Sequence, residues 1–409
     1  MQEIIPVVVA FDNNYCIPAG VSLFSMLANA KRERERERVK LFYQIHCLVE
    51  DLSAENIAKL EETIAPFSAF SSIEFLDILP NKELEPRHNY RKLDPLIASE
   101  IKKLYLKLNA FSQKRFSKMI MCRFFFASLF PQYDKMIMFD VDTLFVNDMS
   151  ESFFIPLEAH YFGAVREKDL IAINRNSAKD LYELRQMRAK TIGVANAFPN
   201  LEEAQILFDN YFNAGFLALN LKLWREENLQ NQLIGFFLLK NEKLLFPEQD
   251  ALCFVCRGRI LELPYSYNAH PSFLDTPSFP SIKEARMLHF WGDKPWELLS
   301  VIGAKKWHEV LIETPFKDAY FNASFLDHLF ESLQNKDNEI KRRDERIIEE
   351  VQVLQARDKE IHALNKILSF SDKRHSFEFL LPRLSSKLLI EFLLFKAKQK
   401  VKRLIKRVF

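Results

Sequence analysis

The stretch Lys135-Met-Ile-Met-Phe-Asp-Val-Asp142 decides how the rest of the chain is read: a short apolar run stops on two acids. A run of that length suits a buried strand. If the chain stays extended through its end, Asp140 and Asp142 point to the same side. Two hard carboxylates on one side can hold Mg²⁺ or Mn²⁺. The C-terminal ends of strands are also where open α/β sheets bind ligands. Asp-x-Asp by itself is common, so the reading depends on its surroundings.

Outward from that run, strands and helices alternate. Residues 4–11 form a β-branched run ended by the turn residues Asp12-Asn-Asn-Tyr15, and helical spacing follows over 18–30 with Pro18 near its start. Strands are predicted over 39–49, 72–78 and 160–165. Helices are predicted over 53–65, with Ser53 as N-cap, and over 119–130, carrying Arg123. Residues 81–115 are polar, contain Pro86 and Pro95, and read as a loop over a site. Residues 168–210 read as mostly helical, and strand and helix signals recur between 216 and 263. The alternation predicts an α/β fold with a largely parallel sheet. The charged insert Lys31–Arg38 nearly cancels its own charge and reads as a solvated segment.

Composition narrows the function. The 409 residues carry 57 Lys and Arg against 55 Asp and Glu, which argues against a nucleic-acid binder. Cys16, Cys47, Cys122, Cys253 and Cys256 are irregularly spaced and read as buried free thiols. Only eight glycines occur, and they are scattered. Dinucleotide turns and phosphate loops need several within a few residues, so both are excluded. A bound nucleotide diphosphate would then need a divalent cation and a lysine. The stretch His289-Phe-Trp-Gly-Asp-Lys-Pro-Trp296 offers both parts: an imidazole to complete a metal shell, and Lys294 as a point charge for phosphate.

The N-terminal residues lack a secretory pattern, and no apolar run approaches the ~18 residues of a membrane span. The expected location is therefore cytoplasmic. Beyond residue 330, Ile340, Ile347, Leu354, Ile361 and Leu368 recur every seventh position. That spacing suits a coiled-coil-like helix over 331–370, supporting a weak homo-oligomer or a helix on a surface. Residues 371–409 are strongly basic beside the apolar Leu388–Phe395, which suits a peripheral tail on an anionic membrane.

Two families share the acid pair. Asp140-Val-Asp-Thr143 after an apolar run is similar to the nucleophile motif of haloacid-dehalogenase-like phosphatases, in which Asp140 would be phosphorylated. Their later acidic motif is poorly matched, because Gly292-Asp293 is followed by Lys294-Pro295. A second resemblance uses six motifs in order. They are Ala10-Phe-Asp-Asn-Asn-Tyr15, Arg123, Met138-Phe-Asp-Val-Asp-Thr-Leu-Phe145, Phe212-Asn-Ala-Gly-Phe-Leu-Ala-Leu-Asn220 with Trp224, Pro247-Glu-Gln-Asp250, and His289 to Trp296. Over roughly residues 4–300 the chain resembles family 8 glycosyltransferases of the lipopolysaccharide glucosyl- and galactosyltransferase type.

The resemblance implies a GT-A fold and a retaining transfer of galactose or glucose from a UDP-sugar. The acceptor would be a lipopolysaccharide or lipooligosaccharide glycan, lipid-linked at the inner face of the cell membrane, and Mn²⁺ or Mg²⁺ would be required. By position, Ala10, Asp12, Asn14 and Tyr15 would cradle uridine. Arg123 would approach the donor sugar or phosphates. Asp140, Asp142 and His289 would bind the metal, with Val141 beside the donor, and Gly292 and Lys294 would meet the diphosphate. Asn213, Ala214 and Gly215 would line the sugar site. Gln249 would face the reacting carbon, flanked by Glu248 and Asp250. Asp293 alone separates Gly292 from Lys294 where the family commonly has two residues, and Arg166-Glu167 stand where it commonly has an aspartate. The implied domains are a catalytic domain over 1–300, a helical closing segment over 301–330, then the coiled-coil-like helix and the basic tail.

Overall fold

A computed structural model describes residues 2–35, 37–78, 88–167, 177–194, 196–275, 279, 281–323 and 325–371. The chain divides into two compact units, 1–332 and 333–409. In the first, strands β1 (Gln2–Asp12), β2 (Glu33–Arg34), β3 (Val39–Glu50), β4 (Ser71–Asp77), β5 (Tyr90–Lys92), β6 (Lys135–Phe139), β8 (Phe162–Arg166), β9 (Phe212–Asn220) and β10 (Ile260–Glu262) build one sheet. Its order is β10-β8-β9-β6-β1-β3-β4-β5, with β2 paired to β3. Only β9, between β6 and β8, and the short β2 run antiparallel to their neighbours. A second, two-stranded sheet pairs β7 (Thr143–Phe145) with β11 (Met287–His289).

The unbroken apolar run of β1 follows from its place inside this sheet. Ile5, Val7, Val9 and Phe11 enter one core, and Val8 enters the other. A strand covered on both faces needs apolar residues at every position. The helices Cys16–Ala28 and Ala54–Ile64 contribute to the first core, along with Trp307 and Leu311 from the helix Ala304–Ile312, Tyr320 from the helix Lys317–Ala323, and Phe316 from the connection between those two. A Cβ at Gly20 would stand 2.6 Å from the Phe316 ring, so the closing segment approaches the first helix closely. The segments Lys118–Phe125, Leu229–Lys240 and Pro247–Val255 contribute to the second core.

Several sequence expectations need correcting. The polar stretch 81–115 is not one loop: its described part carries β5 and the helices Pro95–Tyr105 and Ala110–Arg115. Asp94 caps the first by accepting from Leu96 N at 2.8 Å, with Pro95 at its first position, and Asn109 caps the second by accepting from Ser112 N at 2.8 Å. Local caps started helices where composition suggested a loop. The helix expected over 119–130 is 3₁₀ over Lys118–Phe125 and α only over Phe126–Leu129. Within 168–210, residues 168–176 lie outside the described set, and the helices are Ala178–Thr191 and Ala204–Asp209. The insert at 31–38 contributes β2, with Arg34 4.0 Å from the centroid of the Phe154 ring. All five cysteines are buried free thiols.

A helix runs over Phe325–Ser371, and most of its length belongs to the second unit. Ile340, Ile347 and Ile361 are exposed along it, while the side chains of Leu354 and Leu368 lie outside the described set. No described helix is long and apolar enough to cross a membrane. The basic tail expectation over 372–409 falls outside the described residues.

Candidate active site

Asp140 leaves the large sheet at the end of β6, where its N–H makes a bond to Gly215 O at 2.9 Å. The chain does not stay extended. It bends through Val141 and Asp142 and re-enters order as β7. Thr143 Oγ1 pins the bend by donating to Asp140 O at 2.7 Å. The pairing of β7 with β11 sets His289 opposite Thr143, and Phe290 N donates to Asp142 O at 3.0 Å. An imidazole from a distant stretch of chain therefore stands over the acid pair. His289 Nε2 lies 3.2 Å from Asp142 Oδ1 and 3.8 Å from Asp140 Oδ2.

The tautomer of that imidazole follows from a chain of hydrogen bonds anchored on the backbone. Gly215 N can only donate, and it donates to Asn213 Oδ1 at 2.8 Å. Asn213 Nδ2 donates to Glu167 Oε2 at 2.8 Å, which fixes the same amide orientation. The atom of Asn268 facing Asn213 Oδ1, at 2.8 Å, is therefore its amide nitrogen, and Asn268 Oδ1 faces His289 Nδ1 at 2.8 Å. Nδ1 carries a proton, and Nε2 faces two carboxylates. A cation satisfies such a cluster. One ligand atom from each of Asp140, Asp142 and His289 falls within 4.8 Å of the others. Donors about 2.1 Å from an octahedral ion lie about 3 Å apart. Two carboxylates and an imidazole are hard-to-borderline donors, a set that fits Mn²⁺ or Mg²⁺.

The electrostatics shift the two carboxyls in opposite directions. Burial raises the pKa of Asp140, although Arg123 opposes that. Asp142 is held well below the usual carboxylate range: burial works against ionisation, but His289 and Lys294 outweigh it. Lys294 Nζ donates to Asp142 Oδ2 at 2.5 Å and to Phe290 O at 2.7 Å. The shortened spacing after Gly292 is absorbed by a left-handed glycine, φ +103°, and Lys294 still reaches the acid pair. Arg123, 7 % exposed, forms ion pairs with Asp140 and, at 3.1 Å, with Glu248 Oε1, and also donates to Ala214 O at 3.3 Å. Gln249 Oε1 accepts from Ala214 N at 2.9 Å.

These residues line a cleft of about 990 Å³ at the C-terminal ends of β1, β6 and β8. Ala10, Asp12, Tyr15, Arg123, Asp140, Val141, Asp142, Asn213, Gly215, Glu248, Gln249, His289, Gly292 and Lys294 all border it. Three residues expected there do not. Asn14 is exposed and only donates its N–H to Asp12 Oδ1 at 3.0 Å. Ala214 acts through its backbone. Asp250 is fully buried, with Oδ2 2.5 Å from Arg185 Nη2 and accepting from Leu245 N and Phe246 N at 3.2 Å, and Oδ1 accepting from Tyr211 OH at 3.2 Å. Those bonds take up its oxygens in holding the turn before the helix Pro247–Val255.

Sequence reasoning overlooked Asn268 and Arg185, and it noted Glu167 only as standing where the family commonly has an aspartate. Asn268 carries no motif of its own. Glu167 could have been found, because it follows β8 as Asp140 follows β6.

The acid pair after β6 and the histidine brought over it stand at the strand ends of a GT-A-type sheet, the framework of a class of glycosyltransferases. The profile of glycosyl transferase family 8 matches residues 6–299, and the chain belongs to that family. It is 27 % identical over 122 residues to the lipopolysaccharide 1,2-glucosyltransferase of Escherichia coli K12, covering 27 % of this chain and 36 % of that one. It is 23 % identical over 337 residues to general stress protein A of Bacillus subtilis 168, covering 78 % and 93 %. The solved galactosyltransferase LgtC, in complex with donor and acceptor sugar analogs, shares the fold with a TM-score of 0.52 at 16 % identity, over 76 % of this chain and 96 % of that one. The phosphatase reading of Asp140 is set aside by the family match.

Proposed function

We propose that this chain is a metal-dependent, retaining hexosyltransferase that moves galactose or glucose from a UDP-sugar to a lipid-linked glycan of the lipopolysaccharide or lipooligosaccharide kind. The observation that carries this reading is the Nε2 of His289 facing Asp140 and Asp142 at the floor of the cleft, with Nδ1 held by Asn268. Asp140, Asp142 and His289 would hold Mn²⁺ or Mg²⁺, which when bound supplies Lewis-acid neutralisation of the departing diphosphate.

The chain's own groups do the rest. Lys294 Nζ uses two of its three N–H groups on Asp142 and Phe290 and has a third for a phosphate oxygen. Charge developing on the leaving phosphate is where preorganised cations contribute most. Arg123 ties Asp140 to Glu248, so the metal floor and the sugar end of the cleft keep one spacing. Glu248 borders the cleft, and among the described residues its buried Oε2 has no hydrogen-bond partner, which suits a carboxylate that turns to meet a sugar hydroxyl. Gln249 Oε1 spends one lone pair on Ala214 N–H and keeps the other for the electron-poor anomeric carbon. A neutral amide is a poor nucleophile, so the acceptor hydroxyl attacks from the face the leaving group vacates. Tyr15, Asp12 and Ala10 line the uridine end.

The basic residues of 371–409 would dock the enzyme on the anionic inner face of the membrane, and 331–370 would support a weak oligomer. A panel of UDP-sugars with and without Mn²⁺, read as UDP release, tests the reading. Mn²⁺-dependent release from UDP-galactose or UDP-glucose is expected. Hydrolysis of p-nitrophenyl phosphate with no UDP release would overturn it.

A further inference from the structure

Four arginines line the described part of the cleft. Arg123 and Arg185 are buried and paired with acids. Arg115 and Arg188 are exposed and, among the described residues, have no acid in salt-bridge range. Arg115 ends the helix Ala110–Arg115, and Arg188 lies in the last turn of the helix Ala178–Thr191. The two converge on one ring: their guanidinium carbons lie 5.4 and 4.9 Å from the centroid of Phe246. Arg115 also lies 5.1 Å from the Phe116 ring. Partial burial of its guanidinium, and then the charge of Arg188, lower the pKa of Arg115, with Glu248 opposing them, so the two arginines are close enough to repel.

Two guanidinium groups stacked on one aromatic ring make a pair of forks, a geometry that matches the oxygens of phosphate or carboxylate. Their place in the cleft says which substrate would bring the anion. Contacts run from Lys294 to Asp142, from Asp140 through Arg123 to Glu248, and two residues back along the chain to Phe246. The arginine pair is at the end of that path away from Lys294, beyond the groups assigned to the transferred sugar. We propose that Arg115 and Arg188 form an anion-binding acceptor subsite, which selects an acceptor sugar bearing a phosphate or a carboxylate near the hydroxyl that is glycosylated. The inference rests on the glycosyltransferase reading above for the identity of the two ends of the cleft.

The test uses the full chain loaded with Mn²⁺ and UDP. Binding of glucose 6-phosphate, glucuronate and glucose is measured by calorimetry and ligand-observed NMR for the wild type and for R115Q, R188Q and the double variant. In the wild type at least one anionic probe is expected to bind roughly tenfold or more tightly than glucose, and the better of the two tells phosphate from carboxylate as the source. The double variant is expected to lose that preference while its Mn²⁺-dependent UDP affinity and thermal midpoint stay at wild-type values. Equal binding of all three probes to the wild type would overturn the proposal. So would a preference that survives in the double variant, or a parallel loss of UDP affinity, which would assign the pair to the donor. Failure of the glycosyltransferase reading would look different: the wild type itself would show no Mn²⁺-dependent UDP binding.

Discussion

A Cβ on residue 215 would stand 2.2 Å from Cε1 of His289 and 2.5 Å from its Nδ1. Both atoms belong to a ring enclosed by Asn268 and the acid pair, so the ring has to move if residue 215 gains a side chain. Gly215→Ala is expected to weaken Mn²⁺ binding by roughly 10- to 100-fold, the range seen when the orientation of a ligating histidine is disturbed. Titration followed by electron paramagnetic resonance measures it. Wild-type affinity in the variant would show that the close approach does not position the ring.

Asn268 acts on the same ring from the other side. In the metal-free protein, long-range ¹H–¹⁵N spectra of labelled histidine are expected to show His289 protonated on Nδ1. Asn268→Leu removes the acceptor, so protonation on Nδ1 should be lost and Mn²⁺ affinity should fall. Asn268→Asp, which keeps an acceptor at that place, should restore the Nδ1–H form. Identical spectra for all three proteins would refute the hydrogen-bond chain.

Asp250 stands next to Gln249 in sequence, yet its bonds are those of a structural group. Asp250→Asn leaves Arg185 buried without its counter-charge, at a cost of about 3–5 kcal/mol. Urea unfolding should show that loss, while Mn²⁺-dependent UDP release per folded molecule should persist. Abolished turnover in a fully folded variant would return Asp250 to the chemistry.

Glu74 gives a pH-dependent term. Its Oε1 faces His46 Nδ1 and accepts from Arg91 Nη2 at 2.8 Å. Burial opposes ionisation, but His46 and Arg91 outweigh it, and the net shift is downward. A carboxyl with a depressed folded pKa contributes stability that is complete above the unfolded value, about 4.3, and disappears as pH falls through the folded one. Glu74→Gln should therefore be less stable than wild type near pH 7, with the gap closing as pH falls below about 4.3. Thermal midpoints across that window check it, and a gap independent of pH would contradict the assignment.

Deleting residues 373–409 should release the protein from anionic phospholipid vesicles in a flotation assay, with Mn²⁺-dependent UDP release retained. Unchanged vesicle binding would assign membrane contact elsewhere or nowhere.

Much of the framework was legible in the chain. The doubly covered β1 betrays itself by apolar residues at consecutive positions, and Ser53 caps its helix by accepting from Asn56 N as its residue type predicts. The helices at 95–105 and 110–115 were hidden because a polar composition masks caps as local as Asp94 and Asn109. For the cleft, motif order placed Asp140, Asp142 and His289 in one group but could not say how they meet.

That meeting depends on the pairing of two three-residue strands, β7 and β11, too short to carry a periodic signal, which sets His289 opposite Thr143. Hydrophobic patterning along the chain determines which residues are strands and helices, because burial acts on each segment at the period of its own backbone. Which nitrogen of His289 bears a proton, that Asp250 turns away from the cleft, and that Arg115 and Arg188 share one phenyl ring were decided only by the tertiary structure. Each depends on atoms that come together from segments far apart in sequence, and no local pattern records such an encounter.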